Sequence, residues 1–462
     1  MSFDIHEECA VIGVFGNAHA ALMVKEGLFA LQHRGQEAAG ILSAGDNNNP
    51  LLVKNLGLVN EVFQAEVLAK FSGESAIGHV RYSTAGSDKP INAQPFLVLG
   101  TKYGFIGLAH NGNLLNTAEL RKEIGCDGIA PESDSDSELI LSLIATSTEE
   151  NLDQAINATL KKIIGAFSLV ILSPDALYGI RDPNGFRPLV IGEATENGYG
   201  HFTVLASETC AFGLVHASHI GEVHPGEIVK VSKQGILRTR YTEARNETYC
   251  IFEHVYFSRP DSTDEAGESM FSKRYAMGQR LSQEHPTTAD IVVPVPDSGV
   301  PAAQGYAFHS GITYRSALVR NHYIGRTFIE PTQKLRDNGV RQKLNPITDL
   351  IKGKKVILVD DSLVRGTTSR KIVNMVRGAG AIEVHVKIAC PPTMWPCYYG
   401  VDTPERNQLI AANYSIEEIC KFIGADTLGY LSLPGLIECS GASRNYCTAC
   451  YTGDYPKLVN VT

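Results

Sequence analysis

VILVDDSLVRGTTSR (356–370) reads as a continuous apolar strand that ends in two adjacent carboxylates, Asp360 and Asp361. A loop with Gly366 and three hydroxyls, Thr367, Thr368 and Ser369, then leads into a helix. Backbone N–H groups at such a loop and helix N-terminus can hold a phosphate. Carboxylates at the strand's carboxyl end can accept bonds from ribose hydroxyls or work through Mg²⁺. The plainer alternative is a strand whose terminal acids cap a helix.

The neighbouring segments repeat the pattern. Helix RYAMGQRLSQE (274–284) leads to strand ADIVVPVPDSG (289–299), and helix SRKIVNMVRGAG (369–380) leads to strand EVHVKIACPP (383–392). Continuous apolar strands alternating with helices describe a buried parallel sheet, an α/β unit. The first half differs. CAVIGVFG (9–16), FSLVILS (167–173), ALYGIRD (176–182) and RPLVIGE (187–193) read as strands, with Asn184-Gly185 as a turn between the last two. ALMVKEGLFALQHRG (21–35), SELILSLIA (137–145) and NLDQAINATLKKIIG (151–165) carry helical periodicity. Strands that follow one another directly and outnumber helices suggest layered α+β architecture. The boundary falls near 240–250, giving units of 9–240 and 241–462. No Pro/Gly/Ser linker separates them, so the halves should pack together.

Hydrophobic residues make up 44% and charged residues 20% of the 462, the balance of a globular protein. The net charge of −9 argues against a large nucleic-acid surface. No apolar run is long enough to span a membrane, and MSFDIHEE is no secretory signal, so the expected location is the cytoplasm. The ten cysteines are then thiols, metal ligands or nucleophiles rather than disulfides. A lone cysteine in an apolar strand, such as Cys9, is usually a small buried hydrophobe. Cys447-Thr448-Ala449-Cys450 is a C-x-x-C compatible with zinc, iron–sulfur or no metal, with Cys250 and Cys397 as further candidates.

The second half resembles the type I phosphoribosyltransferases, whose fingerprint is an apolar run, two acids and a Gly/Thr-rich loop. PVPDSGVPAA (294–303) lies where that family has its pyrophosphate loop. The resemblance implies phosphoribosyl pyrophosphate (PRPP) binding by Asp360, Asp361, Ser362, Arg365, Gly366, Thr367, Thr368 and Ser298, with Mg²⁺ at Ser298, Asp360 and Asp361. RNHYIGRTFIEPTQKLRDNGVRQKL (320–344) looks like the family's flexible catalytic loop, which would bring Tyr323, Arg326, Arg336 and Lys343 to phosphate oxygens. In the first half EECAV, HRGQEAAG (33–40), GHVRYSTAG (78–86), AHNGNL (109–114) and SDSE (135–138) occur in order. Together they resemble the N-terminal-nucleophile glutamine amidotransferases, which implies αββα layers. Cys9 would attack the glutamine amide with its own α-amine as base, after removal of residues 1–8 as a propeptide. Asn111 and the Gly112 N–H would form the oxyanion hole. Arg81 would take the α-carboxylate and Asp136 the α-ammonium of glutamine. Ala10 departs from the glycine common at that position.

Both signatures on one chain resemble the glutamine phosphoribosylpyrophosphate amidotransferase family, which opens de novo purine synthesis. That implies an internal ammonia channel, a homotetramer and inhibition by AMP- and GMP-type nucleotides. CIFEHVYFSRPDS (250–262), with Tyr256, Phe257, Arg259 and Asp261, is either interface lining or a core strand. One branch of the family carries a [4Fe–4S] cluster on cysteines in C-[IL]-F-E, P-C-[FY]-Y-G and C-x-A-C-[FY]-T-G. Cys250, Cys397, Cys447 and Cys450 fill those positions, and zinc suits four thiolates as well. Two rivals are a glutamine domain joined to a sugar-phosphate isomerase and a transcriptional sensor that has lost catalysis.

Overall fold

The structure is a computed structural model and describes residues 9–82, 89–127, 131–194, 200–243, 247–321, 344–441 and 444–456. The N-terminal half is built on two antiparallel sheets. The first has seven strands in the order Ser218–Glu222, Val190–Ala194, Phe202–Ala206, Ala10–Phe15, Ser75–Arg81, Ala38–Ser43 and Leu51–Leu56. The second has six, in the order Gly235–Arg240, Glu227–Ser232, Ala176–Arg181, Gly165–Leu172, Gly104–Leu114 and Phe96–Thr101.

Strand Ala10–Phe15 shows why these residues make this architecture. It is apolar on both faces because both are covered. Ala10, Ile12 and Val14 pack with Val24, Leu28 and Val215 from helices Ala20–Ala30 and Cys210–Val215. Val11 points the other way, into a core shared with Ala109, Val170 and Leu177 of the second sheet. Helices Asp136–Ala145 and Leu152–Leu160 cover the outer face of that sheet. The layers are therefore helix, sheet, sheet, helix, as the resemblance implied. Asn184-Gly185 does turn the chain, but into the other sheet rather than back along the same one: Ala176–Arg181 and Val190–Ala194 belong to different layers.

The C-terminal half carries a five-stranded parallel sheet in the order Thr313–Tyr314, Ile291–Pro294, Lys355–Asp360, Glu383–Ile388 and Thr427–Tyr430. Helices Met270–Glu284 and Val300–Ser310 approach so closely that a Cβ on Gly278 would lie 1.9 Å from the Ala302 carbonyl oxygen. Glycine is what permits that crossing.

Several predicted boundaries move. The helix expected over 274–284 begins at Met270, because the Ser269 hydroxyl accepts from the Ser272 N–H and caps it. The helix expected over 151–165 ends at Leu160, and Gly165 (φ 158°) opens a strand instead. The 250–262 segment is not a core strand. Tyr249–Cys250 bridges Tyr446–Cys447 in parallel, and Glu253–Phe257 form a buried π turn.

Candidate active site

Cys9 stands at the start of strand Ala10–Phe15, where pairing of Ala10 with Val80 sets Arg81 and Tyr82 beside it. Its Sγ donates to the Tyr82 carbonyl at 3.5 Å, and its own carbonyl accepts from Arg34 Nε at 3.2 Å. Strand Gly104–Leu114 brings in His110, Gly112 and Asn113 from the second sheet, and helix Asp136–Ala145 contributes its N-terminus. The cavity so formed is lined by Cys9, Arg81, Tyr82, Gln94, His110, Gly112, Asn113, Ser135, Asp136 and Ser137. Residues 1–8 and 83–86 lie outside the described residues.

Two features make this cavity chemically specific. Asn111 is 1% exposed, and its Nδ2 has no hydrogen-bond partner among the described residues. An unpaired buried amide costs about 1–3 kcal/mol, and Asn111 directly precedes Gly112 of the cavity wall without lining the cavity itself. Gly112 has φ 151°, and a Cβ there would lie 2.0 Å from the Ala166 carbonyl oxygen, so only a bare backbone fits. On the opposite wall Asp136 accepts from the Leu114 N–H at 3.0 Å and the Ser137 hydroxyl at 3.3 Å, with His110 Nδ1 at 3.7 Å. Burial opposes its ionisation, but His110 and the N–H and O–H donors outweigh burial and hold its pKa low. An ionised carboxylate facing this cavity can pair with an ammonium group. Arg81 is buried and supplies the complementary charge.

The second cluster lies at the carboxyl end of the parallel sheet. Strand Lys355–Asp360 delivers Asp360 and Asp361, and Asp361 accepts from the Ser362 hydroxyl at 2.6 Å. Burial and the neighbouring Asp361 carboxylate push the Asp360 pKa well up. Gly366 (φ 73°) opens helix Thr367–Gly378 with no side chain capping it, which leaves the N–H groups of Thr367 and Thr368 to a ligand. Arg365 Nη2 donates to Gln408 at 2.8 Å. The loop with Ser298 follows the adjacent strand Ile291–Pro294, and the Val295 N–H donates to the Val359 carbonyl at 2.8 Å. The structure thus brings Ser298 and the paired acids to neighbouring strand ends. Tyr323, Arg326, Arg336 and Lys343 lie outside the described residues.

Cys250 and Cys447 pair across the two-residue bridge, and Cys450 lies near enough to feel Cys250, Cys447 and Cys397. Burial first, then Cys250, Cys447, Cys397 and Cys390, push the Cys450 thiol well up. Among the described residues no three His, Cys, Asp or Glu side chains are grouped to hold a single metal ion. Sequence reasoning gave no role to His110, Gln94 and Ser137, which line the cavity, or to Arg34 and Glu208 behind it. His110 and Arg34 lie inside segments that carried the resemblance. Their partners are distant in sequence, and only His110, a polar residue inside an apolar strand, gave a local hint.

Comparison with known proteins agrees on both halves. A glutamine amidotransferase domain model matches residues 79–213, and a phosphoribosyl transferase domain model matches residues 271–393. An amidophosphoribosyltransferase of Synechococcus elongatus is 47% identical over 454 residues, covering 97% of this chain and 91% of the relative. One from Bacillus subtilis is 45% identical over 459 residues, covering 98% and 94%. The solved glutamine PRPP amidotransferase of B. subtilis, complexed with ADP and GMP, superposes with a TM-score of 0.90 at 43% identity, covering 98% of each chain. A structure described as the allosteric regulatory enzyme of purine biosynthesis gives the same score at 44% identity, covering 97% of this chain and 96% of that one. Among the described residues no helix is long and apolar enough to cross a membrane.

Proposed function

The chain belongs to the amidophosphoribosyltransferase family, the glutamine-dependent pentosyltransferases of de novo purine biosynthesis, and on that premise we propose which residues carry the reaction. Glutamine is hydrolysed in a 9–240 unit. The ammonia passes through an internal channel to PRPP in a 241–462 unit, giving 5-phosphoribosylamine, pyrophosphate and glutamate.

Cys9 is the nucleophile. Its thiolate adds to the glutamine side-chain carbonyl, and the oxyanion is taken by Asn111 Nδ2 and the Gly112 N–H. The tetrahedral species collapses to a thioester with loss of ammonia, and water then releases glutamate. An internal Cys9 has an amide nitrogen, which is no base, so residues 1–8 are removed and the freed α-amine accepts the thiol proton. Arg81 and Asp136 hold the α-carboxylate and α-ammonium. What supports the assignment is that Cys9, Arg81, Gly112 and Asp136 line one cavity, and that Asn111, the residue before Gly112, has a buried amide nitrogen with no hydrogen-bond partner among the described residues.

PRPP lies on Asp360, Asp361, Ser362, Arg365, Gly366, Thr367, Thr368 and Ser298, with Tyr323 and Arg326 as further contacts. The charge conflict between Asp360 and Asp361 fits a divalent cation. Ser298, Asp360 and Asp361 would hold Mg²⁺, which would supply charge neutralisation for the leaving pyrophosphate. The four thiols Cys250, Cys397, Cys447 and Cys450 share one neighbourhood yet are not grouped for a single ion. Four thiolates are the ligand set of a [4Fe–4S] cluster, which they would hold in a structural role. Inhibitory purine nucleotides, a homotetramer and a cytoplasmic location complete the reading.

Mass spectrometry of the N-terminal peptide of active protein tests the nucleophile. A chain beginning at Cys9 is expected. An intact Met1 terminus with full glutaminase activity would overturn it.

A further inference from the structure

Four buried charged side chains from both halves meet behind Cys9, and the reaction as read above gives none of them a part. Arg34 donates from Nε to the Cys9 carbonyl at 3.2 Å. Its terminal nitrogens grip Glu253 at two points, Nη1 to Oε2 at 2.8 Å and Nη2 to Oε1 at 2.7 Å, and Nη1 also reaches Glu208 at 2.6 Å. Such a two-point grip fixes the plane of the guanidinium. Glu253 comes from the phosphoribosyl half and is fully buried. It also accepts from Ser258 Oγ at 3.0 Å and from Arg187 Nη1 at 3.3 Å.

A second line runs from Glu253 to the oxyanion strand. Arg187 donates from Nε to the Tyr399 carbonyl at 3.1 Å, and the Tyr399 ring stacks on Phe186 at 4.3 Å. Gly400, next along, presses on the oxyanion glycine: a Cβ there would come within 3.1 Å of Gly112 Cα. Asn113 Nδ2 closes the contact on the Tyr398 carbonyl at 3.1 Å. One carboxylate therefore stands where two lines meet. One line ends on the backbone of Cys9 and the other on the backbone of Gly112.

We propose that Glu253 is the positioning residue of the glutamine site, setting the nucleophile and the oxyanion donors relative to each other from within the phosphoribosyl half. The inference rests on the reading of Cys9, Asn111 and Gly112 given above. Displacing reacting groups by about 1 Å can cost on the order of 10²-fold in rate, so a shared anchor for both is a strong lever. Burial works against the Glu253 charge, but Arg34 and Arg187 outweigh it and hold its pKa below the usual carboxylate range, so the anchor is a carboxylate at working pH. A neutral amide in its place would bind one arginine and leave the other to drift.

The anchor's backbone is itself held in place. Glu253 opens the π turn Glu253–Phe257, closed by the Ser258 N–H on the Glu253 carbonyl at 3.1 Å. π turns are rare and concentrate at functional sites. Arg274 pins this one from below, donating to the carbonyls of His254 at 2.8 Å, Ser258 at 2.7 Å and Glu253 at 3.4 Å. The same turn is therefore held on its carbonyl side by Arg274, from within the phosphoribosyl half, and on its carboxylate side by Arg34 and Arg187.

Steady-state glutaminase kcat and KM of Glu253→Gln and Glu253→Asp, with and without PRPP, test this beside ammonia-dependent pyrophosphate release. In Glu253→Gln we expect kcat for glutamine to fall about tenfold or more, with KM within about threefold because Arg81 and Asp136 are untouched. Stimulation by PRPP should shrink, and ammonia-dependent release should stay near wild type. Glu253→Asp, which keeps the charge, should recover part of kcat. A wild-type kcat in Glu253→Gln overturns the proposal. Should that variant lose ammonia-dependent release through misfolding, Glu253→Asp decides in its place: a lowered kcat at unchanged KM supports the role, and a wild-type kcat refutes it. Cys9→Ala in the same assay reads the nucleophile assignment separately.

Discussion

Asn111 offers the most direct test at the scale of a single side chain. Its amide nitrogen is buried and has no hydrogen-bond partner among the described residues, an arrangement tolerated where a ligand atom completes it. Replacing it by alanine removes one oxyanion donor and nothing that holds ground-state glutamine. Glutaminase kcat should fall about 10²–10³-fold, with little change in KM and with ammonia-dependent synthesis intact. A drop in KM-controlled binding alone would show that the amide serves substrate capture instead. Cys9, Arg81, Asn111, Gly112 and Asp136 could be named as candidates because the ordered motifs that contain them resemble the N-terminal-nucleophile amidotransferases, and four of them, all but Asn111, line one cavity. Glu253 as an anchor could not, because its meaning comes from Arg34 and Arg187, which are distant in the chain and adjacent only in the fold.

Among the elements, strand Lys355–Asp360 shows how a binding site is held against stability. Asp360 is raised by burial and by Asp361. A carboxyl whose folded pKa exceeds its unfolded value of about 3.9 gives stability that is full below that value and is lost as pH rises through the folded one. Asp360→Asn removes that loss. The variant should melt at a higher temperature than wild type near pH 7–8 when no ligand is present, with the difference shrinking toward pH 4, and it should lose PRPP turnover. A lower melting temperature at neutral pH would contradict this account of the strand end. The apolar runs on either side of this strand made the parallel sheet readable. Helix ends were less so, since Ser269 caps through a hydroxyl bond to the Ser272 N–H and Gly165 stops through its backbone conformation, and residue type alone fixes neither. The 250–262 segment was ambiguous because a short apolar run suits a strand or a helical turn equally.

Across the whole molecule, the two halves are joined by buried charge as well as by apolar contact. Arg34 and Glu253 are both buried, and removing one partner of such a pair commonly costs about 3–5 kcal/mol. The second junction is the Cys397–Gly400 loop, where a cysteine of the four-thiol cluster lies three residues from the glycine that abuts Gly112. Purified without air, the protein should carry about four iron atoms per chain and absorb in the visible, and Cys450→Ser should lose most of that iron. Stoichiometric zinc in a colourless protein would reject the cluster. Everything assigned to the glutamine half nevertheless turns on one sulfur. The measurement that tests it is pyrophosphate release by Cys9→Ala with glutamine or with ammonium as the nitrogen source. No release with glutamine and a wild-type rate with ammonium is the predicted result, and undiminished release with glutamine would contradict it.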